Sequence, residues 1–201
     1  QVGPIAAVLS FDYGQRHRKE LGFAARTASG FRAVHHVIDI SAVTPYITSG
    51  HDSLTNHDVP VPEGHYAADN MRGTVVSNRN MIMYSVAAGF AAAQELDVLV
   101  MGVHGGDHFI YPDCRPEFIT AFETASRLGT LGHAPAGFRV WAPFVHRDKT
   151  DVVREGDRLG VDWSHTWSCY QGGDVHCGRC GTCVERIEAF TLAGVDDPTE
   201  Y

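Results

Sequence analysis

Cys169, Cys177, Cys180 and Cys183 follow one another in the spacing C-x7-C-x2-C-x2-C. Four thiolates in so short a run match the ligand number of one closed tetrahedral site, and closed four-cysteine sites bind zinc in a structural role. The C-x2-C units let backbone N–H groups support the sulfurs, and Gly178 and Gly181 ease the tight turns this needs. The same spacing also suits an iron–sulfur cluster, and free or disulfide-bonded thiols are the third reading. His176 or His165 could stand in for one sulfur, although four thiols make that unnecessary. Cys114 lies far away in sequence and reads as an ordinary buried cysteine.

Other polar segments carry groups suited to anions or to a small planar ligand. Ser77-Asn78-Arg79-Asn80 stands where a loop meets a helix. A helix N-terminus beside an arginine is an anion site, and a capped helix with a solvated Arg79 is the plainer alternative. His104-Gly105-Gly106-Asp107-His108 follows an apolar strand, and its glycines permit close approach of a ligand. In Tyr111-Pro112-Asp113-Cys114-Arg115, the Asp113 carboxylate could accept two N–H donors from a guanine-like edge. Arg115 could pair with a carboxylate; the plainer reading is a turn in which Asp113 caps the next helix. Lys149 falls in the first turn of a helix, where the dipole disfavours a cation. It is either solvated or set to face an anion.

The 201 residues are 44% hydrophobic and 20% charged, which suits one globular domain with a sizeable core. A net charge of -8 speaks against a large nucleic-acid surface. The longest apolar run, Met81 to Ala93, contains Tyr84 and Ser85 and is too short to span a bilayer. No secretory signal pattern opens the chain, and clustered cysteines without signs of secretion point to metal in a reducing compartment, hence to the cytoplasm. The chain starts at Gln1, without Met, and runs at once into a strand; residues upstream are expected.

The elements that must position these groups alternate. Strands are expected at Ile5–Phe11, Phe31–Ile40, Val98–Val103 and Phe138–Phe144. Helices are expected at Arg16–Ser29, stopped by Gly30, and at Arg79–Leu96, Pro116–Leu128, Asp148–Leu159 and Cys180–Ala193. Ser41 to Thr74 shows no helical period and reads as a long functional loop or small excursion. Such alternation predicts an α/β fold with a doubly wound parallel sheet, whose ligands lie beyond the C-terminal strand ends. The expected division is a nucleotide-binding α/β part over 1–160, with its excursion at about 41–74, and a zinc-stapled C-terminal lobe over 161–201.

These segments together resemble the 7-cyano-7-deazaguanine synthase family, queuosine-pathway enzymes of the PP-loop ATPase, adenine nucleotide alpha-hydrolase type. The matching pieces are Ser10 to His17, Val76 to Asn80, Tyr111 to Arg115, Ala142 to Lys149, and Thr166 to Tyr170 with Cys177, Cys180 and Cys183. The resemblance covers nearly the whole chain, in order. It implies an ATP-dependent ligase that converts 7-carboxy-7-deazaguanine and ammonia to the nitrile, through adenylated intermediates and an amide. It implies one structural zinc on the four cysteines, and magnesium with the ATP. Base and substrate recognition would fall to Tyr111, Asp113 and Arg115. Nucleotide contacts would fall to Phe11, Asp12, Gln15, Arg79 and Lys149. Asp107, with Lys149, would serve the chemistry, Asp107 either in the ammonia step or on magnesium. Homodimers are common in the family, and neither membrane nor nucleic acid is an expected partner.

One departure concerns the family's phosphate-binding loop, Ser-Gly-Gly-x-Asp-Ser, which this sequence lacks and which is expected just before Gln1. A smaller one is Ser77, where many relatives carry proline. Other readings are a PP-loop enzyme acting on tRNA, a relative recruited to antiphage defence with a protein substrate, and a zinc-stapled binding module without ATP hydrolysis.

Overall fold

A computed structural model describes residues 3–48, 50–65 and 68–201. In chain order its elements are β1 (Ala7–Asp12), α1 (Glu20–Gly30), β2 (Val34–Asp39), α2 (Thr44–Ile47), α3 (Ala68–Met71), α4 (Arg79–Ala93), β3 (Val98–Val100), α5 (Pro116–Gly129), β4 (Arg139–Trp141), α6 (Lys149–Arg158) and α7 (Gly181–Ala193). Short 3-10 turns lie at Arg72–Thr74, Gly105–Asp107, Pro112–Cys114 and Trp163–His165. None of the described helices is long and apolar enough to cross a membrane. The chain falls into two compact units, Ile5–Ser77 with Lys149–Tyr201, and Asn78–Asp148 with Gly3 and Pro4.

In the larger unit β1 and β2 run parallel, from Ala7 opposite Val34 to Asp12 opposite Asp39. A parallel pair needs a crossover, and α1 supplies it, packing on both strands. Gly30 does not stop α1 as expected. It is the last helical residue, and the left-handed position belongs to Arg32, with φ 55°. There the Ala33 N–H returns to the Ala28 carbonyl at 3.0 Å, the closing bond of a Schellman turn.

The excursion is compact. Asp52, Ser53, Leu54, Val61, Met71 and Thr74 are all buried. The Asp52 carboxylate accepts the N–H groups of Leu54 and Thr55 at 3.1 and 2.8 Å. The Ser53 N–H donates to the Gly73 carbonyl at 2.6 Å, joining two distant points of the excursion. Further along, α6 and α7 pack through Val153, Ala189 and Phe190. Gly156 lies flat under Trp163, where a Cβ would come within 2.3 Å of the ring.

In the smaller unit β3 and β4 run parallel, with Val98 opposite Arg139. The pairing continues beyond both strands through Met101 N–H to the Trp141 carbonyl at 2.9 Å and a bridge between His104 and Phe144. α4 and α5 pack against this pair and each other, with Tyr84 edge-on to Phe122 at 5.9 Å. The fold is therefore mixed α/β with parallel strands, as the alternation predicts. Among the described residues those strands form two two-stranded sheets, β1–β2 and β3–β4. β3 and β4 are shorter than the apolar runs that contain them, with Met101-Gly102-Val103 and Ala142-Pro143-Phe144 continuing beyond the strands.

Candidate functional site

The four cysteines converge. Cys169, Cys180 and Cys183 are fully buried, Cys177 half-buried, and the four sulfurs lie within 4.8 Å of one another. The Sγ atoms of Cys177 and Cys183 are 3.9 Å apart. Tetrahedral ligation at a metal–sulfur distance of ~2.3 Å separates sulfurs by ~3.8 Å, so the cage has the dimensions for one ion. All four are free thiols. The backbone supports them as the C-x2-C spacing predicts, with Cys180 N–H on the Cys177 sulfur at 3.2 Å and Cys177 N–H on the Cys169 sulfur at 3.5 Å.

The electrostatics of the cage also suit a cation. Hydrogen bonds from Cys169 and Cys183 converge on Cys180 and hold its thiolate far below the ordinary thiol range. Cys169, sharing a proton with Cys180, is pushed up to about 11, and Cys183 is pushed up further by Cys169 and Cys180. Protons shared around one thiolate are what a divalent ion displaces on binding.

Neither histidine joins the cage. His176 Nε2 accepts the Ser168 N–H at 3.3 Å, and its ring lies 4.1 Å from that of Trp167. Burial, then the nearby Arg186, lowers its pKa to about 4, so it is neutral at pH 7. His165 lies 3.5 Å from the exposed Asp162 carboxylate instead.

The excursion straps the cage. Glu63 forms an antiparallel bridge with Cys180, Gly64 N–H donates to the Arg179 carbonyl at 2.8 Å, and Val61 packs on the sulfurs. The segment after β1 docks on the other components of this lobe. Phe23 lies 5.5 Å from Trp167, His17 lies 5.0 Å from Tyr170, and the Lys19 ammonium sits over Trp167. Arg16 donates to the carbonyls of Asn56 and Val59, both at 2.9 Å. At Gly172, φ +69°, a Cβ would stand 2.2 Å from the Arg16 carbonyl oxygen.

This packing decides what Phe11, Asp12 and Gln15 offer a ligand. Gln15 is fully buried. Its amide accepts the Tyr13 N–H at 2.8 Å and donates to the Phe11 carbonyl and Glu20 carboxylate, both at 3.0 Å. Asp12 accepts the Gly14 N–H at 3.0 Å and pairs with Arg18. Both side chains hold the turn beyond β1 in shape, with Phe11 half-buried beside them.

Lys149 does face an anion, and the anion is internal. Its ammonium donates to the carboxylate of Glu185 on α7, with the two side chains 26% and 15% exposed. Nothing in the spacing of the cysteine run signals Glu185, whose partner lies 36 residues earlier.

In the smaller unit the loop beyond β3 is tied to the start of α4. Asp113 Oδ2 accepts the Asn80 backbone N–H at 3.1 Å, and Asn80 Nδ2 donates to the Cys114 sulfur at 3.3 Å. Asp113 thus supports α4, not the following helix α5. Arg115 is exposed, and its Nε donates to the His108 carbonyl at 2.7 Å. Tyr111 is buried, its N–H bonded to the Asp107 carbonyl at 2.9 Å, while the Asp107 carboxylate lies 3.4 Å from His104 Nε2. Burial, then the charges of Asp107 and Asp113, push the Cys114 thiol up to about 12, opposed by Arg79. Asp107, Asp113 and Arg79 therefore share one neighbourhood around a neutral thiol. Asn80 belongs to the Ser77–Asn80 segment singled out in the sequence, but nothing in that run signals its bond to Cys114.

A sequence model of the family described as "Queuosine biosynthesis protein QueC" matches residues 3–194. A protein of Rhizobium leguminosarum bv. trifolii named 7-cyano-7-deazaguanine synthase is 53% identical over 197 residues, covering 98% of this chain and 81% of the relative. Proteins of the same name from Ruegeria pomeroyi and Brucella ovis are 53% and 52% identical, covering 98% of this chain and 84% and 83% of their own lengths.

Proposed function

We propose, since this chain belongs to the QueC family of queuosine biosynthesis proteins, that it is an ATP-dependent carbon–nitrogen ligase making 7-cyano-7-deazaguanine from 7-carboxy-7-deazaguanine and ammonia. The carrying observation is 53% identity across 98% of the chain to relatives named for that product. The reading takes in the family's doubly wound sheet. It also takes in a nucleotide-binding part over 1–160, a C-terminal zinc lobe over 161–201, and a cytoplasmic homodimer.

A carboxylate has no usable leaving group, so the reaction proceeds by activation. A carboxylate oxygen attacks the α-phosphorus of ATP, and pyrophosphate leaves with the broken P–O bond. Ammonia adds to the acyl carbon, loses a proton, and AMP departs, leaving the amide. The amide oxygen takes a second adenylyl group and pyrophosphate again leaves. Loss of the two N–H protons and of AMP then forms the C≡N bond. The protein's part is orientation and charge neutralisation.

In the larger unit Lys149 neutralises phosphate charge. The Phe11–Gln15 turn offers the nucleotide its backbone, in the shape that Asp12 and Gln15 maintain. In the smaller unit the dipole of α4 and Arg79 attract anions. Asp113 has one carboxylate oxygen on Asn80 and presents the other to the N–H edge of the deazaguanine. Arg115 pairs with the substrate carboxylate, and Tyr111 walls the base. Asp107 takes the ammonia proton or holds the magnesium that accompanies ATP. Cys169, Cys177, Cys180 and Cys183 hold one zinc, which supplies rigidity, since a closed four-thiolate site has no open position for substrate.

Mass spectrometry of the full-length, zinc-loaded protein with 7-carboxy-7-deazaguanine, ATP, magnesium and ammonia tests the reading. The nitrile and two AMP per turnover are expected; ATP consumption only when tRNA or a protein is supplied would overturn it.

A further inference from the structure

The geometry points to Glu185 as a positioning residue for Lys149, tying the nucleotide-facing ammonium to the helix that the cysteine cage holds in place. This rests on the assignment of Lys149 to ATP.

α7 begins inside the cage. Cys180 is its N-cap residue, Cys183 lies in its first turn, and both are fully buried. At about 100° per residue, Glu185 projects roughly 200° from Cys183, so one face of the helix serves the sulfurs and the opposite face carries the carboxylate. That opposite face meets α6. Lys149 pairs with Glu185, and one turn further along both helices Val153 and Ala189 are buried in one cluster with Phe190. The ion pair is thus the first rung of a seam whose second rung is apolar. It sits where side chains have little room, with Glu185 15% exposed.

The pair also answers an energetic problem. Lys149 is the first residue of α6, where the helix dipole repels a cation, and a lysine side chain loses much rotamer freedom when it is held at one point. A carboxylate on the neighbouring helix offsets the repulsion and holds the ammonium at one point. An ammonium has three N–H donors, and Glu185 takes one; the others serve a phosphate oxygen. ATP then meets a cation already oriented, and binding loses less entropy. The zinc cage contributes by fixing the turn of α7 from which Glu185 projects.

Glu185→Gln keeps the shape and an acceptor oxygen but removes the charge. Zinc stoichiometry and cooperative melting should remain those of the parent, with the midpoint lowered only by the loss of one part-exposed ion pair. The Kd of Mg-ATP, read by calorimetry, should rise about tenfold, and in turnover the KM for ATP should rise far more than kcat falls. Glu185→Asp should recover part of the loss, and in a Lys149→Met background Glu185→Gln should have no further effect on the Kd. An unchanged Mg-ATP Kd, an undiminished effect in the Lys149→Met background, or loss of zinc or of cooperative melting in Glu185→Gln would each overturn the proposal. Loss of zinc or melting would assign the pair to stability alone. Absence of nitrile product from the parent protein would instead count against the synthase reading, and the Mg-ATP measurements would still decide the role of Glu185.

Discussion

The Asp113 carboxylate accepts the backbone N–H of Asn80 at 3.1 Å, so the residue assigned to the base also braces the start of α4. On the proposed reading its two oxygens have separable duties, one on Asn80 and one on the base. Asp113→Asn keeps an acceptor for Asn80 but loses the charge that favours an N–H edge. Its denaturation midpoint should stay near the parent value, while the KM for 7-carboxy-7-deazaguanine rises at least about tenfold. Asp113→Ala loses both, and should cost about 1 kcal/mol of stability in addition to turnover, with zinc retained. Unchanged turnover in both variants would remove Asp113 from the substrate site.

Removing the metal should act through structure. Chelation returns the cage to thiols that share protons around Cys180, and the strap at Glu63 loses its rigid counterpart. Limited proteolysis after chelation should cut within 161–201 and near residue 63, with activity lost in step. Cys169→Ser should lower zinc affinity more than the roughly 100-fold that a lost outer-shell partner costs.

Buried Arg186 and part-buried Asp197 form a bidentate pair in the larger unit, at 2.9 to 3.2 Å. Burial opposes ionisation of Asp197, but hydrogen bonds from Arg186, then Tyr201 and Thr199, outweigh it and lower the pKa from 3.8 to about 2. A folded-state value below the unfolded one stabilises above the unfolded pKa and is lost as pH falls through the folded one. The stability difference between the parent and Asp197→Asn should therefore be full above about pH 4 and vanish towards pH 2. Zinc loss in acid affects both proteins and cancels in that difference. Urea titrations across this range measure it.

Two glycine substitutions should move in opposite directions. Gly172→Ala meets both a left-handed φ and the Arg16 carbonyl at 2.2 Å, and should cost at least about 2 kcal/mol. Gly89, inside α4, has open space where a methyl group would stand, with nothing within 4 Å. Gly89→Ala should gain roughly 0.5–1 kcal/mol from helix propensity. Chemical denaturation of the two variants checks both signs.

Local chemistry was legible in the residues. The cysteine spacing specifies the cage, and the helices from Arg79, Pro116 and Lys149 begin within a residue of where apolar periodicity and first-turn residues set them. Tertiary partnership was not. The left-handed residue after α1 is Arg32 rather than a glycine, because the 6→1 bond from Ala33 holds it there. Asp113 reaches back to α4 and Lys149 forward to Glu185, across 33 and 36 residues. No period or local motif encodes such a pairing; it exists only once the helices have packed.

The bridge between Glu63 and Cys180 has a consequence for synthesis. Its partners lie more than a hundred residues apart, so the excursion leaves the translation machinery long before the strand it pairs with. The four cysteines, by contrast, lie in one short run and are all present as soon as Cys183 emerges. Folding of the excursion against the cage is then a late, high-contact-order event. Until Cys180 arrives, Val61, which packs on the sulfurs in the folded chain, is apolar surface awaiting cover.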